Sequence, residues 1–151
     1  MISAQIETII DTLDELKPYF PIHWKQLGLF QNKMPLDPDY DEYLRRDALG
    51  MWTLATVRDD GNLVGYVVFS VARGMHYKST LVAIMDIIFL EDSKRGHGHG
   101  RLLGETALAE LKRRGVGPVY GGSKNHKGIE GFWRSLGMEP VETVLAMWIG
   151  D

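Results

Sequence analysis

The stretch Glu91-Asp92-Ser93-Lys94-Arg95-Gly96-His97-Gly98-His99-Gly100-Arg101-Leu102-Leu103 decides how this chain is read. It lies between the apolar run Leu81 to Leu90 and the segment with the clearest helical periodicity, residues 98–114. A strand that ends in a glycine-rich turn and opens a helix aims several backbone N–H groups at one point, with the positive end of the helix dipole behind them. Phosphate suits such a point, and Arg95 and Arg101 flank it with charge-assisted donors. Two other phosphate loops fail on spacing. The G-x-G-x-x-G fingerprint needs glycine where Arg101 or Leu103 stands, and Gly117 to Gly122 is followed by Ser123-Lys124, the reverse of the Walker order.

Working outward, residues 98–114 carry Leu103, Ala107, Leu108 and Leu111 on one face, with Lys112, Arg113 and Arg114 in the last turn before Gly115. Val116 to Tyr120 reads as a short buried strand, residues 128–136 as a short helix ending at Gly137, and Val141 to Ile149 as a final strand. Upstream, residues 80–91 are almost wholly apolar and predict a central strand covered on both faces. Trp52 to Val57 and Leu63 to Val71 are β-rich runs joined by the hairpin turn Asp59-Asp60-Gly61-Asn62. Before them, Ile6, Ile9, Ile10, Leu13 and Leu16 predict a helix over residues 3–16, a second falls around His23 to Leu27, and a third spans Asp39 to Ala48 before Gly50. The order implies an α/β (α+β) fold, a mixed sheet with helices on both faces.

Composition bounds the function. The chain has 151 residues, the size of a single domain spanning 1–151, with 44% hydrophobic and 25% charged residues, which excludes a disordered or fibrous protein. It has no cysteine, so disulfide scaffolds, thiolate nucleophiles and cysteine-ligated metals are excluded. No apolar stretch approaches a membrane span and no basic, apolar leader opens the chain, which predicts a cytoplasmic protein. The net charge of −3 argues against a nucleic-acid coat. Residues 94–127 nevertheless hold eight Lys/Arg against two acids, while residues 1–60 hold six against eleven. A local basic segment in an acidic protein suits a small anionic ligand. His97 and His99, with His76 or His126, have metal-ligand spacing, but histidines beside a phosphate turn are more often exposed, and no metal is expected.

Arg95-x-x-Gly98-x-Gly100 resembles the signature loop of the GNAT superfamily of acyl-CoA N-acyltransferases, Arg/Gln-x-x-Gly-x-Gly/Ala between the fourth strand and third helix. The run Phe132-Trp133-Arg134-Ser135-Leu136-Gly137-Met138 is similar to that family's Phe-Tyr-x-x-Leu-Gly-Phe pattern, and the resemblance covers residues 51–138. The family's usual first strand is not evident, and one C-terminal strand appears where two are usual. The resemblance implies a mainly antiparallel sheet whose strands splay around a coenzyme A cleft, and acetyl transfer from acetyl-CoA to a primary amine. The acceptor would be a small molecule or a lysine side chain, the protein a monomer or homodimer. A non-catalytic acyl-CoA-binding domain is the alternative.

By position, the resemblance implies that Ile88, Phe89 and Leu90 bond the pantetheine arm, the Leu90 N–H meeting the thioester carbonyl. Arg95, Gly96, His97, Gly98, His99, Gly100 and Arg101 would hold the pyrophosphate, and Asn125 the pantetheine. Asp86 is the one charge inside an apolar strand; period two puts it on the face of Ile88 and Leu90, and relatives supply a general base from this position. Where relatives place a tyrosine acid, Trp133 stands, so thiolate leaves unassisted or another residue such as Tyr77 serves. The acids Asp37, Asp39, Asp41, Glu42 and Asp47 suit a cationic acceptor or a solvated face.

Overall fold

The computed structural model describes residues 1–150. Five strands, β1 (Ile2–Glu7), β2 (Trp52–Asp59), β3 (Asn62–Gly74), β4 (Tyr77–Leu90) and β5 (Val116–Tyr120), form one sheet in chain order. The first four pair antiparallel and β5 joins β4 parallel. Helices α1 (Ile9–Leu16), α2 (Tyr19–Leu27) and α3 (Tyr40–Ala48) cover one face, while α4 (His99–Arg113) and α5 (Glu130–Ser135) cover the other. This is the mixed, mainly antiparallel sheet with helices on both faces that the sequence implies.

Alternation along the strands feeds two cores. Ala55, Val57, Val67 and Phe69 meet Leu103, Ala107, Leu111 and Trp133 on the α4 side. Leu54, Tyr66, Val68 and Phe89 meet Ile9, Leu13, Leu16 and Phe20 on the α1–α2 side. Arg114, just past α4, ties the layers by donating to the Trp52 carbonyl at 2.8 Å and the Thr53 hydroxyl at 2.6 Å.

Four sequence expectations are corrected. Residues 3–16 are a strand and then a helix, because Thr8 caps α1 by accepting the Asp11 N–H at 3.2 Å, and Ile2 to Glu7 pair with β2. The expected stripe mixed two periods: Ile9, Leu13 and Leu16 are buried, whereas Ile6 belongs to the strand and Ile10 is exposed. β4 is central and packs on both faces, but its cover is incomplete: Ala83 is buried towards α4 and Phe89 towards α1 and α2, while the rest of the strand is half-buried or exposed. β5 is an edge strand and largely exposed. Residues 141–149 form no strand: among the described residues nothing pairs with them, and β propensity without a ladder partner leaves backbone groups to water.

Candidate functional site

The two halves of β4 are paired differently. Leu81 to Ile84 lie between β3 and β5, and the last β5 partner is Tyr120 opposite Ile84. Gly121 then lets the chain turn away over the ring of Trp133, which a Cβ at this position would approach to 2.6 Å. Trp133, almost fully buried, donates its indole N–H to the Gly122 carbonyl at 2.8 Å and holds the departing chain in place. Beyond Ile84, β4 therefore has one neighbour, β3. Glu91 donates its N–H to the Val64 carbonyl at 3.0 Å, and alternation along an antiparallel ladder turns the amides of Ile88 and Leu90 the other way, towards the gap. Phe89 is not brought to that edge: its backbone faces β3 and its ring lies in the α1–α2 core.

A bulge re-aims Asp86. Phe69 pairs with Met85 and Val68 with Ile87, so Asp86 is the extra residue on β4. Period two places it with Ile88 and Leu90. The bulge moves it to the face of Ile87 and Phe89, opposite α3. There the surrounding protein desolvates the carboxylate and pushes its pKa up, with Arg46 pulling the other way. The residue as a whole is exposed, so the desolvation comes from the protein flanking the carboxylate and not from full enclosure. Tyr43 of α3 lies close enough to feel that carboxylate; burial and then the Asp86 charge push its phenol to about 12. Tyr43 stacks on Trp52 at 5.6 Å, and the Arg46 guanidinium lies 5.7 Å from the Trp52 ring centroid.

At the C-terminal end of β4 a 3-10 turn, Asp92–Lys94, leads into the glycine loop. Gly96 and Gly98 adopt φ +79° and +82°, and open space surrounds both Cβ directions. Gly98 is the N-cap of α4 and offers no side-chain cap, so the amides of the first helical turn, from His99 to Arg101, have no partner within the helix. The first helical bond runs from the Leu102 N–H to the Gly98 carbonyl at 3.0 Å. Arg95 donates to the Leu90 carbonyl at 2.9 Å and pairs with Asp92 at 2.7 Å. Arg101 pairs with Glu105 at 2.7 Å. His99 meets the Lys94 carbonyl through Nδ1 at 3.1 Å, and the His97 ring stands 5.9 Å away, exposed. Among the described residues no three His, Asp or Glu side chains converge as metal ligands do.

Other expected residues lie elsewhere. Asn125 sits in an exposed turn between Lys124 and Lys127, and Lys127 reaches Gln26 of α2 at 3.5 Å. Tyr77 opens β4, thirteen residues or ~40 Å of strand from Leu90, too far to act there. The acidic segment is largely spent on structure. Asp39 caps α3 through the Glu42 N–H at 2.9 Å, Glu42 pairs with Arg45 and Arg46, and Asp47 accepts the Ile10 N–H at 3.0 Å.

One residue escaped sequence reasoning. His23 of α2 is buried against Phe89 and Tyr66, with ring centroids 6.0 and 6.5 Å away. Burial, and then Lys124 from the loop after β5, lower its pKa to about 4, so the imidazole is neutral at pH 7. Its signal was available: His23 stands three residues after Phe20, on the stripe that α2 buries.

Solved structures share this architecture. A ribosomal-protein-alanine N-acetyltransferase from Brucella melitensis biovar Abortus 2308 superposes with TM-score 0.67 at 16% identity, over 100% of this chain and 99% of that one. Glucosamine-6-phosphate N-acetyltransferase from Arabidopsis thaliana gives 0.69 at 12% identity, over 98% and 99%. A predicted acetyltransferase from Clostridium acetobutylicum, solved with acetyl-CoA, gives 0.69 at 11% identity, over 99% and 97%. At these identities the likeness shows the fold. No curated protein matches the sequence significantly. The acetyltransferase (GNAT) family model, however, matches residues 9–138, which contain the open half of β4, the glycine loop and α5, and the chain belongs to that family.

Proposed function

We propose that the protein transfers an acetyl group from acetyl-CoA to a primary amine. The observation that carries this reading is the open edge of β4 at Ile88 and Leu90, running directly into a glycine turn and the bare N-terminus of α4. An extended arm with amide groups fits the first, and a pyrophosphate fits the second. Bound acetyl-CoA supplies the activated acetyl thioester.

The residues divide the work. The Leu90 N–H, with its own carbonyl already occupied by Arg95, donates to the thioester oxygen and polarises it. Ile88 bonds the pantetheine amides. Gly96, His97, Gly98, His99 and Gly100 present backbone N–H groups to the pyrophosphate, and Arg95 and Arg101 add charge. Asn125, on the turn beyond the gap, holds the pantetheine from the other side. Asp86, its pKa raised by its surroundings, accepts the proton of the attacking amine directly or through one water. Trp133 has no acidic proton to give, so thiolate leaves without a side-chain acid. The acceptor is a small-molecule amine or a lysine side chain, and the protein works in the cytoplasm.

Purified protein with acetyl-CoA and a panel of polyamines, aminosugars and lysine peptides, monitored by thiol release, tests this. Release that depends on both protein and one class of amine is expected. Tight coenzyme A binding with no release against any amine would assign the chain to a non-catalytic binding domain, the reading that the missing phenol favours.

A further inference from the structure

Two charges of opposite sign stand apart on the sheet face that α3 borders. The register sets Trp52 of β2 opposite Ser70 of β3 and Ser70 opposite Ile84 of β4, so these three form a row across the strands on one face. Two strand spacings, ~10 Å, separate the Trp52 and Ile84 backbones. Tyr43 stacks on the Trp52 ring and the Arg46 guanidinium lies 5.7 Å from its centroid, which puts a cation at the β2 end of the row. Asp86, the extra residue of the β4 bulge, puts a carboxylate at the other end. Between them Ile84 is 52% exposed and offers an apolar floor.

Both charges are free to take a ligand. Arg46 gives its Nε–H to Glu42 at 2.7 Å, and among the described residues its two terminal nitrogens donate to nothing. That end of a guanidinium grips a carboxylate or phosphate with two parallel bonds. The Asp86 carboxylate likewise has no hydrogen-bond partner among the described residues, and no ion pair joins it to Arg46. Burial pushes the Asp86 pKa up and Arg46 pulls it back, so each charge lies within the field of the other.

We propose that the acceptor is a zwitterion: a primary amine received by Asp86 and joined by a short carbon chain to a carboxylate or phosphate held by Arg46. This rests on the acetyl-transfer reading and narrows it. A second cation on the substrate would meet Arg46, so the same pair of charges selects against polyamines. The nitrogen loses its proton to Asp86 and attacks the thioester carbon, the C–S bond breaks and coenzyme A leaves as thiolate, while the anionic end stays on Arg46 unchanged.

γ-Aminobutyrate, n-butylamine and putrescine offer chains of matched length with a negative, a neutral and a positive far end, and aminopropylphosphonate replaces the carboxylate by a phosphonate. With thiol release as the readout, kcat/KM for the better of the two zwitterions should exceed that of n-butylamine ~10-fold or more, and that of putrescine by more still, the scale of one charge-assisted contact. The zwitterion that leads tells a carboxylate ligand from a phosphate. Arg46→Met keeps a stem to pack on Trp52 and removes the charge; the preference should fall to within ~2-fold of parity, and Arg46→Glu should turn it towards putrescine. Arg45→Gln, which removes the exposed neighbouring guanidinium, should leave the preference in place. Calorimetry of the same amines on protein loaded with coenzyme A separates the two readings. Preferential binding of a zwitterion without thiol release would keep this site and remove the transfer. Release from n-butylamine or putrescine as fast as from the zwitterions, or a preference that survives Arg46→Met, would overturn the site and leave the transfer standing; equal binding with no release would overturn both.

Discussion

The two halves of β4 are made of the same kind of residue and differ in their neighbours. Leu81 to Ile84 are sealed on both edges and serve the sheet; Met85 to Leu90 keep one edge free. Nothing in the side chains of Ile88 or Leu90 announces the binding role proposed for their backbone. The difference comes from two local events, the extra residue Asp86 and the departure of β5 at Gly121 over Trp133. A free backbone edge is made here by withholding a strand.

The largest effect should come from closing the anion seat at the end of the open half. Gly98→Asp puts a carboxylate where the pyrophosphate is proposed to sit. The fold should survive, because Asp tolerates a left-handed backbone better than most residues and space is free around this Cβ. Calorimetry should show coenzyme A affinity falling ~100-fold or more, the direction set by a like charge at an anion site; unchanged affinity would remove the open half from coenzyme A binding.

Asp86→Asn separates the bulge's chemistry from its geometry. Turnover should fall ~100-fold, the usual scale for a lost general base, with coenzyme A affinity nearly unchanged. The acidic limb of the pH profile should vanish with the carboxyl. Wild-type rates between about pH 6 and 8 would make Asp86 a structural residue.

His23 covers Phe89 in the open half and ties stability to pH. Its pKa is about 4 in the folded protein against the ordinary imidazole value of 6.5 in the unfolded chain, so the unfolded chain takes up the proton first as pH falls. Stability from this group is complete above pH 6.5 and is lost between 6.5 and 4, by up to ~3 kcal/mol. Urea unfolding of wild type and His23→Phe at about pH 7, 5.5 and 4.5 should show a shallower loss in the variant; parallel curves would remove His23 from the pH response.

The smallest change should follow Trp133→Tyr. The smaller ring gives up contact with Gly121 and Phe69 and costs ~1–2 kcal/mol of stability, while turnover stays within ~3-fold. A rate rising tenfold or more at saturating acetyl-CoA would show that thiolate departure limits the natural protein and that a phenol here can reach the sulfur.

Much of this was legible in the sequence, for physical reasons that also mark the limit. The hairpin of β2 and β3, α4 and its glycine loop are local: turn residues, a dipole-matched C-terminus and a 3.6-residue stripe all lie within a short window. β1 was not legible, because Ile6 fits both a strand period and the stripe of α1, and only pairing with β2 chooses. Residues 141–149 failed in the opposite sense, with strand propensity and no partner in the fold. Asp86 was found by its isolation among apolar neighbours, yet its face was misread, since a one-residue bulge depends on Val68 and Phe69 of the adjacent strand. His23 was passed over because its setting comes from Tyr66, Phe89 and Lys124, all distant in the chain.

Arg95 and Arg101 are already matched with Asp92 and Glu105 across the glycine loop. In the proposed function each incoming phosphate oxygen must displace a carboxylate that is tethered three or four residues away. Such surface pairs are weak individually, so a ligand with two linked phosphates and a strand-like arm can displace them together, while a lone anion gains little. Under that proposal the loop would act as a coincidence detector: its resident acids would screen out inorganic phosphate and yield to a ligand that engages the helix N-terminus and the β4 edge at once.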